Sequence, residues 1–461
     1  MDGFEIEMMR RLPLAQAVLR LFGYTFSDDF LNSIYEGGRG RGYEREVTFP
    51  RMFQLVHDAL LIHHGSARQC FDQAAREGRL GISRQNAYAK LGRLGLEISI
   101  ALVLEGSQRL LPVLSSDGDG VLPPSLRAMT VLALDGKKIK NAAKRLKPLR
   151  GKAGAMLGGK VLVAMSIQSG LAMAMNADPD GQRNDVPLVP DLVGSLRRRW
   201  KDQSFLWIAD RQFASLELFD LLCQPPDHFL IRAGTTLSFE ADPRRPSQEG
   251  VDERGHRWVQ QWGTVGSAKR RYVRRITLFR PGQEDVMLVT DLLEEQQTPA
   301  VDLLWAYLQR WGIERMFQQV TEVMDLQHLI GSSPQAMIFQ SAMCFQLYNV
   351  IQVIKRFIAT DARKAVEEVS TELLFRDIRQ ELQTWTYMMD TPQPIAPQVP
   401  DDAAALRQWV QKLVAGKWTD KWLKAPPQKR RPQARTRVPK GHCGHHSVWQ
   451  ILQQAKKERR P

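Results

Sequence analysis

Four short apolar runs between Thr130 and Asp210 constrain this chain most. They are TVLALD (Thr130 to Asp135), KVLVAMSI (Lys160 to Ile167), GLAMAMNA (Gly170 to Ala177) and FLWIAD (Phe205 to Asp210). Runs of this length, rich in branched apolar residues and bounded by turn formers, read as buried strands. Val186 to Trp200 reads as a helix started by proline, and Ala214 to Leu222 as a second helix. A hairpin followed by helix-connected strands predicts a mixed α/β sheet. The flanks differ in texture. Residues 1–114 carry apolar residues at helical spacing, as in Phe53, Leu55, Val56, Ala59 and Leu60, and a turn-rich linker, SSDGDGVLPPSLR, separates them from the strands. Gln224 to Gln283 is polar, broken by Gly and Pro and strand-like, which predicts a β-rich insertion. A strand in DVMLVTDL and a long helix from Thr298 and Pro299 to about His328 follow. The expected organisation is 1–114 helical, 115–223 first part of the core, 224–283 insertion, 284–385 second part of the core and 386–461 basic tail.

Charge narrows the partners. The chain has 461 residues, with 64 Lys and Arg against 50 Asp and Glu, a net charge of +14. Such a balance favours a polyanion, either nucleic acid or an acidic membrane surface. From Lys417 to Pro461 there are 13 Lys and Arg and two acids, Asp420 and Glu458, so most of the excess lies in the tail. Within it, Gln428 to Lys440 has no apolar periodicity and is expected to be disordered unless it lies on phosphates. The longest uncharged run, Leu329 to Ile354, holds several Gln, an Asn and Pro334 and reads as a buried helix pair and not a membrane span. No signal-peptide pattern opens the chain. Cys70, Cys223, Cys344 and Cys443 are scattered, as expected of reduced thiols in a cytoplasm. His442, Cys443, His445 and His446 lack a second ligand pair and read as a basic loop before a zinc site.

The chemistry-bearing residues are acids. Asp135 and Asp210 end two of the strands, and on parallel neighbours both would emerge at one carboxyl edge, where open α/β sheets place their sites. In the helix WAYLQRWGIERMFQQVTEVM, Tyr307, Arg310 and Glu314 fall within a sector about 60° wide that also faces the core. The bland alternative is an exposed Arg-Glu pair at i, i+4. Three carboxylates suit phosphodiester chemistry with two Mg2+ ions, or Mn2+, because hard cations take oxygen ligands. From Asp135 to Lys160 inclusive there are nine basic residues, Lys137, Lys138 and Lys160 among them, and no second acid. That is how a nuclease-like site would meet a phosphate backbone. The turn and polar helix from Gly81 to Leu94, with Ser83 as N-cap and Arg84 and Lys90 on the helix, have the form of a helix-turn-helix reader, or of an ordinary exposed helix. Trp258 and Trp262 share a strand face in the insertion. They read as a hydrophobic cluster or as a stack for an extruded base, with Arg232 near the sheet edge and the basic run Lys269 to Arg275 beside them.

With LALDGK and IADRQF upstream of Tyr307, Arg310 and Glu314, the chain resembles the DDE transposases of the insertion-sequence-four family. The resemblance implies a ribonuclease-H-like mixed sheet with flanking helices, a helical DNA-end-binding region, a β-rich insertion between the second and third acids, and a basic tail. It implies Asp135, Asp210 and Glu314 as the metal-binding triad, and Tyr307 and Arg310 as contacts to phosphate near the cut. The family has a Lys seven residues after the Glu, where this chain has Thr321; Glu322 lies outside the shared sector. The function so implied is cutting at the ends of a mobile element and joining to target DNA, by a homodimer on double-stranded DNA in a prokaryotic cytoplasm, with no membrane and no small-molecule cofactor. The competing functions are a decayed or domesticated DNA-binding protein and a plain metal-dependent nuclease.

Overall fold

The computed structural model describes residues 7, 10–40, 46–114, 122–234, 237–267, 269–324, 326, 328–388, 402–425 and 444–458. The segment Gln428 to Lys440 and the residues His442 and Cys443 lie outside them. The four expected strands form with their ends shifted by a few residues: β1 (Thr130–Ile139), β2 (Gly159–Ser166), β3 (Ala172–Asp178) and β4 (Phe205–Ala209). All of β2 and β4 and the first four apolar residues after Thr130 are buried, because both faces of the sheet are covered and a strand there cannot alternate with polar residues. Strands β1, β2 and β3 are antiparallel neighbours, whereas β4 runs parallel to β1 and then to β5 (His228–Arg232). The order β3-β2-β1-β4-β5, with helices α7 (Val189–Arg199) and α8 (Leu216–Leu222) making the crossovers into β4 and β5, is the ribonuclease-H-like sheet the sequence implied.

The insertion extends this sheet. Strand β5, which the sequence reading put at the opening of the insertion, is the fifth core strand, and its far edge pairs with β10 (Val286–Thr290). Beyond β10 the sheet continues through β9 (Arg271–Leu278) and β8 (Arg257–Val265). The short β6 (Phe239–Ala241) and β7 (Gln248–Val251) both pair with β8, giving ten strands. Arg274 on β9 is fully buried; its guanidinium donates to Gln260 Oε1 at 3.0 Å and to the Thr298 carbonyl at 2.6 Å. Burial pulls its pKa down to about 10, so this cation serves the internal architecture of the extension.

On the other side of the core, α1 (Pro13–Thr25), α2 (Asp28–Gly38), α3 (Phe49–Leu61), α4 (Ala67–Arg76), α5 (Arg84–Leu91) and α6 (Leu96–Leu110) form the expected helical region. They share one continuous hydrophobic core with the sheet. The long expected helix after Pro299 is two helices, α9 (Ala300–Gln309) and α10 (Trp311–Glu322). Arg310 lies at their junction, where the Arg310 amide donates to Tyr307 O and the Ile313 amide to Arg310 O, both at 3.0 Å. These i to i−3 bonds tighten the coil for one turn and end the α-helical register the sequence reading had extended through it.

The uncharged run is a single helix, α11 (Pro334–Asp361), and not a pair; Ser333 caps it and Pro334 fills its first turn. It is long and apolar enough to cross a membrane, but its most apolar window is wholly buried inside the protein. Several of its polar residues face the core and find backbone partners there: Gln346 Nε2 donates to Val103 O at 3.0 Å. Asn349 accepts from the Ala172 amide at 2.8 Å and donates to the Ala172 carbonyl at 2.9 Å. Asn349 thus supplies the missing neighbour of edge strand β3, a need that a purely apolar helix would leave unmet. The chain then adds α12 (Thr371–Met388), α13 (Ala403–Val414) and α14 (Val448–Lys457). Before α14, His446 and Ser447 pair with Met156 and Leu157, so part of the basic tail folds back on the core. Cys70, Cys223 and Cys344 are not in disulfides.

Replacing Asn349 with Ala leaves the Ala172 amide and carbonyl buried without partners. Urea denaturation is expected to show a loss of about 2–4 kcal/mol; a change below about 0.5 kcal/mol would mean that the helix does not hold the strand edge.

Candidate active site

Parallel pairing brings the two strand-end acids together. The β1–β4 ladder ends at Ala133 opposite Ile208, and two residues further along both chains are Asp135 and Asp210. Adjacent strands lie about 4.8 Å apart, so the two carboxylates leave the sheet side by side at its carboxyl edge. Asp210 caps the turn Arg211–Phe213, its Oδ1 accepting from the Gln212 amide at 2.9 Å. Asp135 accepts from the Gly136 amide at 2.8 Å. Gly136 is required by space: a Cβ there would lie 1.8 Å from Asp185 Oδ1. Asp185 is buried in an ion pair with Lys160 at 2.6 Å and accepts from the Gln212 side chain at 2.9 Å, so it packs under both acids.

The third acid comes from the helix junction. Arg310 is buried, with Nη2 donating to Glu314 Oε1 at 2.9 Å and Nη1 4.0 Å from Asp135 Oδ2. Burial opposes its charge, but Tyr307, Glu314 and Asp135 outweigh that cost and hold its pKa above the ordinary guanidinium value. Burial raises the pKa of Tyr307, against the pull of Arg310 and Arg232, and Asp210 adds to the rise. Asp135 is pushed up to about 6 by burial; Gly136 and Arg310 oppose the shift, while Asp210 and Glu314 add to it. Asp135, Asp210, Glu314, Tyr307, Arg310 and Arg232 therefore form one electrostatic neighbourhood, and the bland alternative for Arg310 and Glu314, an exposed pair, does not describe a guanidinium 7% exposed.

Glu314 is turned to Arg310, and among the described residues no group of three or more His, Cys, Asp or Glu is close enough to hold a metal ion. The donor chemistry nevertheless fits a hard cation. All three acids offer oxygen, and the raised pKa of Asp135 marks negative charge that a cation would neutralise.

A cleft of about 610 Å³ runs from this point along α10, lined on one wall by Glu314, Phe317 and Thr321. Its other wall carries Lys137, Lys138, Lys140 and Lys160 from β1 and β2. The Lys137 ammonium sits 5.4 Å from the centre of the Phe317 ring, and its pKa is lowered by burial and by Lys140. Thr321 donates back to Phe317 O at 2.6 Å, so β1, and not α10, provides the positive charge here. Glu322, at the rim, accepts from Gln318.

Other expected contacts are placed differently. Trp262 is fully buried, donating to Leu293 O at 2.9 Å with Arg245 stacked 4.1 Å from its ring, which leaves it no face for a base. Trp258 is half-buried against the sheet and over Gly250. The basic run is spent internally: Lys269 and Arg271 pair with Asp220, Arg270 with Glu240, and Arg275 donates to Gln261. Arg232 reaches Glu284 at 2.9 Å at the sheet edge. On α5, Ser83 is the N-cap as expected, but Arg84 pairs with Asp72 at 2.6 Å and Lys90 donates to Val47 O. Sequence reasoning counted Lys160 among the basic residues for phosphate and missed Asp185, its partner; the signal available was the glycine after Asp135.

Because the folded-state pKa of Asp135 lies above its ordinary value of 3.8, the site costs stability above about pH 6 and nothing below about pH 4. Asp135→Asn is therefore expected to stabilise the protein by about 1–2 kcal/mol at pH 8 and to converge with the wild type near pH 4. Millimolar Mg2+ should raise the melting temperature of the wild type more than that of the variant. A gain independent of pH would show that the carboxylate is not strained.

Residues 127–350, just under half of the chain, match the family model described as the transposase DDE domain. The match begins ahead of β1, ends within α11 and includes Asp135, Asp210 and Glu314. No curated protein matches the sequence. A solved structure similar to the chain is the cryo-EM structure of the piggyBac transposase synaptic complex with hairpin DNA, at 12% identity and a TM-score of 0.41 over 88% of each chain. The central half of this chain is thus similar to the transposase DDE domain.

Proposed function

We infer that the protein is a DNA transposase that cuts double-stranded DNA at the ends of its element and joins them to target DNA. The observation that supports this reading is Arg310 held between Glu314 and Asp135, with Asp210 at the end of the strand paired to that of Asp135, inside a stretch that matches the transposase DDE domain. In this reading Asp135, Asp210 and Glu314 would hold two Mg2+ or Mn2+ ions, which when bound supply activation of the attacking oxygen and stabilisation of the leaving one. Arg310 and Tyr307 position the phosphate beside the cut, since a fixed guanidinium fork suits phosphate oxygens. Lys137 and Lys138 hold the neighbouring backbone from the opposite wall of the cleft and take the place of a cation at position 321. That compensation weighs against a decayed copy. A homodimer on DNA, a prokaryotic cytoplasmic setting and DNA contacts by Arg84, Lys90, Arg232 and Trp258 belong to the same proposal.

The test uses duplexes carrying the inverted repeats of the element, with magnesium. Asp135→Asn, Asp210→Asn and Glu314→Gln are each expected to lower cleavage by at least about a hundredfold while leaving DNA binding within about twofold. Cutting that survives one of these changes removes that residue from the triad. Cleavage without joined products would make the protein a nuclease.

A further inference from the structure

The third-acid helix has a second polar face. Glu314, Phe317 and Thr321 face the cleft described above, whereas Gln309, Gly312, Arg315 and Gln319 line a separate cavity of about 350 Å³. Its other walls come from the β2–β3 turn (Gln168 to Gly170), from α11 and from the segment after it, and Lys424 closes one side. Five cations reach this space, Arg315, Lys355, Arg356, Lys364 and Lys424, against one carboxylate, Glu367.

The placement of these cations differs from that of the other basic groups. On the sheet extension Lys269, Arg270, Arg271 and Arg257 are all in salt bridges. Among the described residues, none of the five cations at the cavity is in one. Lys355 is buried, and its ammonium has only the Thr371 hydroxyl, at 3.3 Å. Arg356 donates to the Gln168 carbonyl at 2.6 Å, and Lys424 donates to the carbonyl of Glu367. A buried cation without a counter-charge is costly. Gln352, also on the wall, adds a second observation: it is 8% exposed and its Nε2 donor has no acceptor. Donors from α10, α11 and the Lys424 segment converge with only neutral oxygens and the one carboxylate of Glu367 around them, an arrangement that suits a compact, multiply charged oxyanion.

We propose that this cavity is a phosphate-binding site, with Arg315, Lys355 and Lys424 as its charged contacts and Gln352 as a neutral donor. The site is distinct from the metal-binding acids and does not depend on the transposase reading. The ligand is a phosphate group, either of a DNA backbone lying behind the third-acid helix or of a free phosphate ester. Lys355 adds a pH signature. Burial, reinforced by Lys424 and Arg315 and opposed by Glu367, lowers its pKa to about 7. Arg356 and Lys364 share the cavity and supply no counter-charge. Lys355 therefore binds an anion as ammonium below about pH 7 and loses that charge as the pH rises.

The test is calorimetric titration of the full chain with sodium sulfate and with inorganic phosphate at fixed ionic strength. Sulfate serves for the pH series because its charge is constant from about pH 6 to 8.5. The wild type is expected to bind saturably, and Arg315→Glu and Lys424→Glu, both at exposed positions, to weaken binding by about tenfold or more. Arg257→Glu, on the remote sheet extension, should leave it unchanged. Sulfate affinity should fall with rising pH in the wild type and stay flat in Lys355→Met. Displacement of sulfate by a short DNA duplex identifies the backbone as the source; failure of the duplex to displace it identifies a free phosphate ester. No saturable binding of either anion, or binding unchanged by both Arg315→Glu and Lys424→Glu, overturns the site. A flat wild-type pH profile removes Lys355 from it. None of these readouts requires DNA cleavage, so an inactive site at Asp135 would leave the result interpretable.

Discussion

The parallel pairing of Thr130–Ala133 with Phe205–Ile208 is the constraint on which the site depends. Side chains alternate along a strand, so a slip of one residue would send one of the two acids to the opposite face of the sheet. The register is held by burial on both sides: Val131, Leu132 and Ala133 on one strand and Leu206, Trp207 and Ile208 on the other are all fully buried. Asp227 fastens the start of the second strand, accepting from the Phe205 amide at 2.8 Å and from the Trp207 indole at 3.0 Å. Cohesion of the strands therefore sets the position of the charge at their ends.

That charge needs local compensation, which explains the irregular helix beside it. Continuous α-helical geometry would carry Arg310 through an ordinary turn; the i to i−3 bonds at the junction instead seat it between Glu314 and Asp135. Gly312, two residues on, permits a close approach to the sheet, since a Cβ there would meet Met165 Cε at 2.9 Å. Burial of Asp135, more than the charge of its neighbours, is what raises its pKa, with Arg310 opposing and Asp210 and Glu314 adding to the rise. A buried carboxylate of this kind gains from a bound cation.

Features resting on short-range pattern were legible in the sequence. The central strands and the N-cap Ser83 follow from local composition, and the strand-end acids could be paired from topology alone. Features resting on distant partners were not. Nothing near Arg271 or Lys269 announces that Asp220 will neutralise them, and Trp262 looks the same in sequence whether Arg245 covers it or not. The continuity of the insertion with the core depends on Arg232 pairing with Leu288, a contact between residues far apart in the chain. Asp185 was equally hidden, although the glycine at 136 recorded its presence as an absence of volume.

A count of basic residues therefore overstates the surface offered to a polyanion. Arg257, Lys269, Arg270 and Arg271 of the extension pair with Glu249, Asp220 and Glu240, and Arg274 is buried in the architecture. Lys137, Lys138 and Lys140 differ, because the stretch that follows Asp135 contains no acid before Lys160, and they open onto the cleft beside Glu314. The position of cations relative to carboxylates, more than their number, decides where a phosphate can bind. By that criterion both sides of the third-acid helix gather cations that outnumber the carboxylates around them.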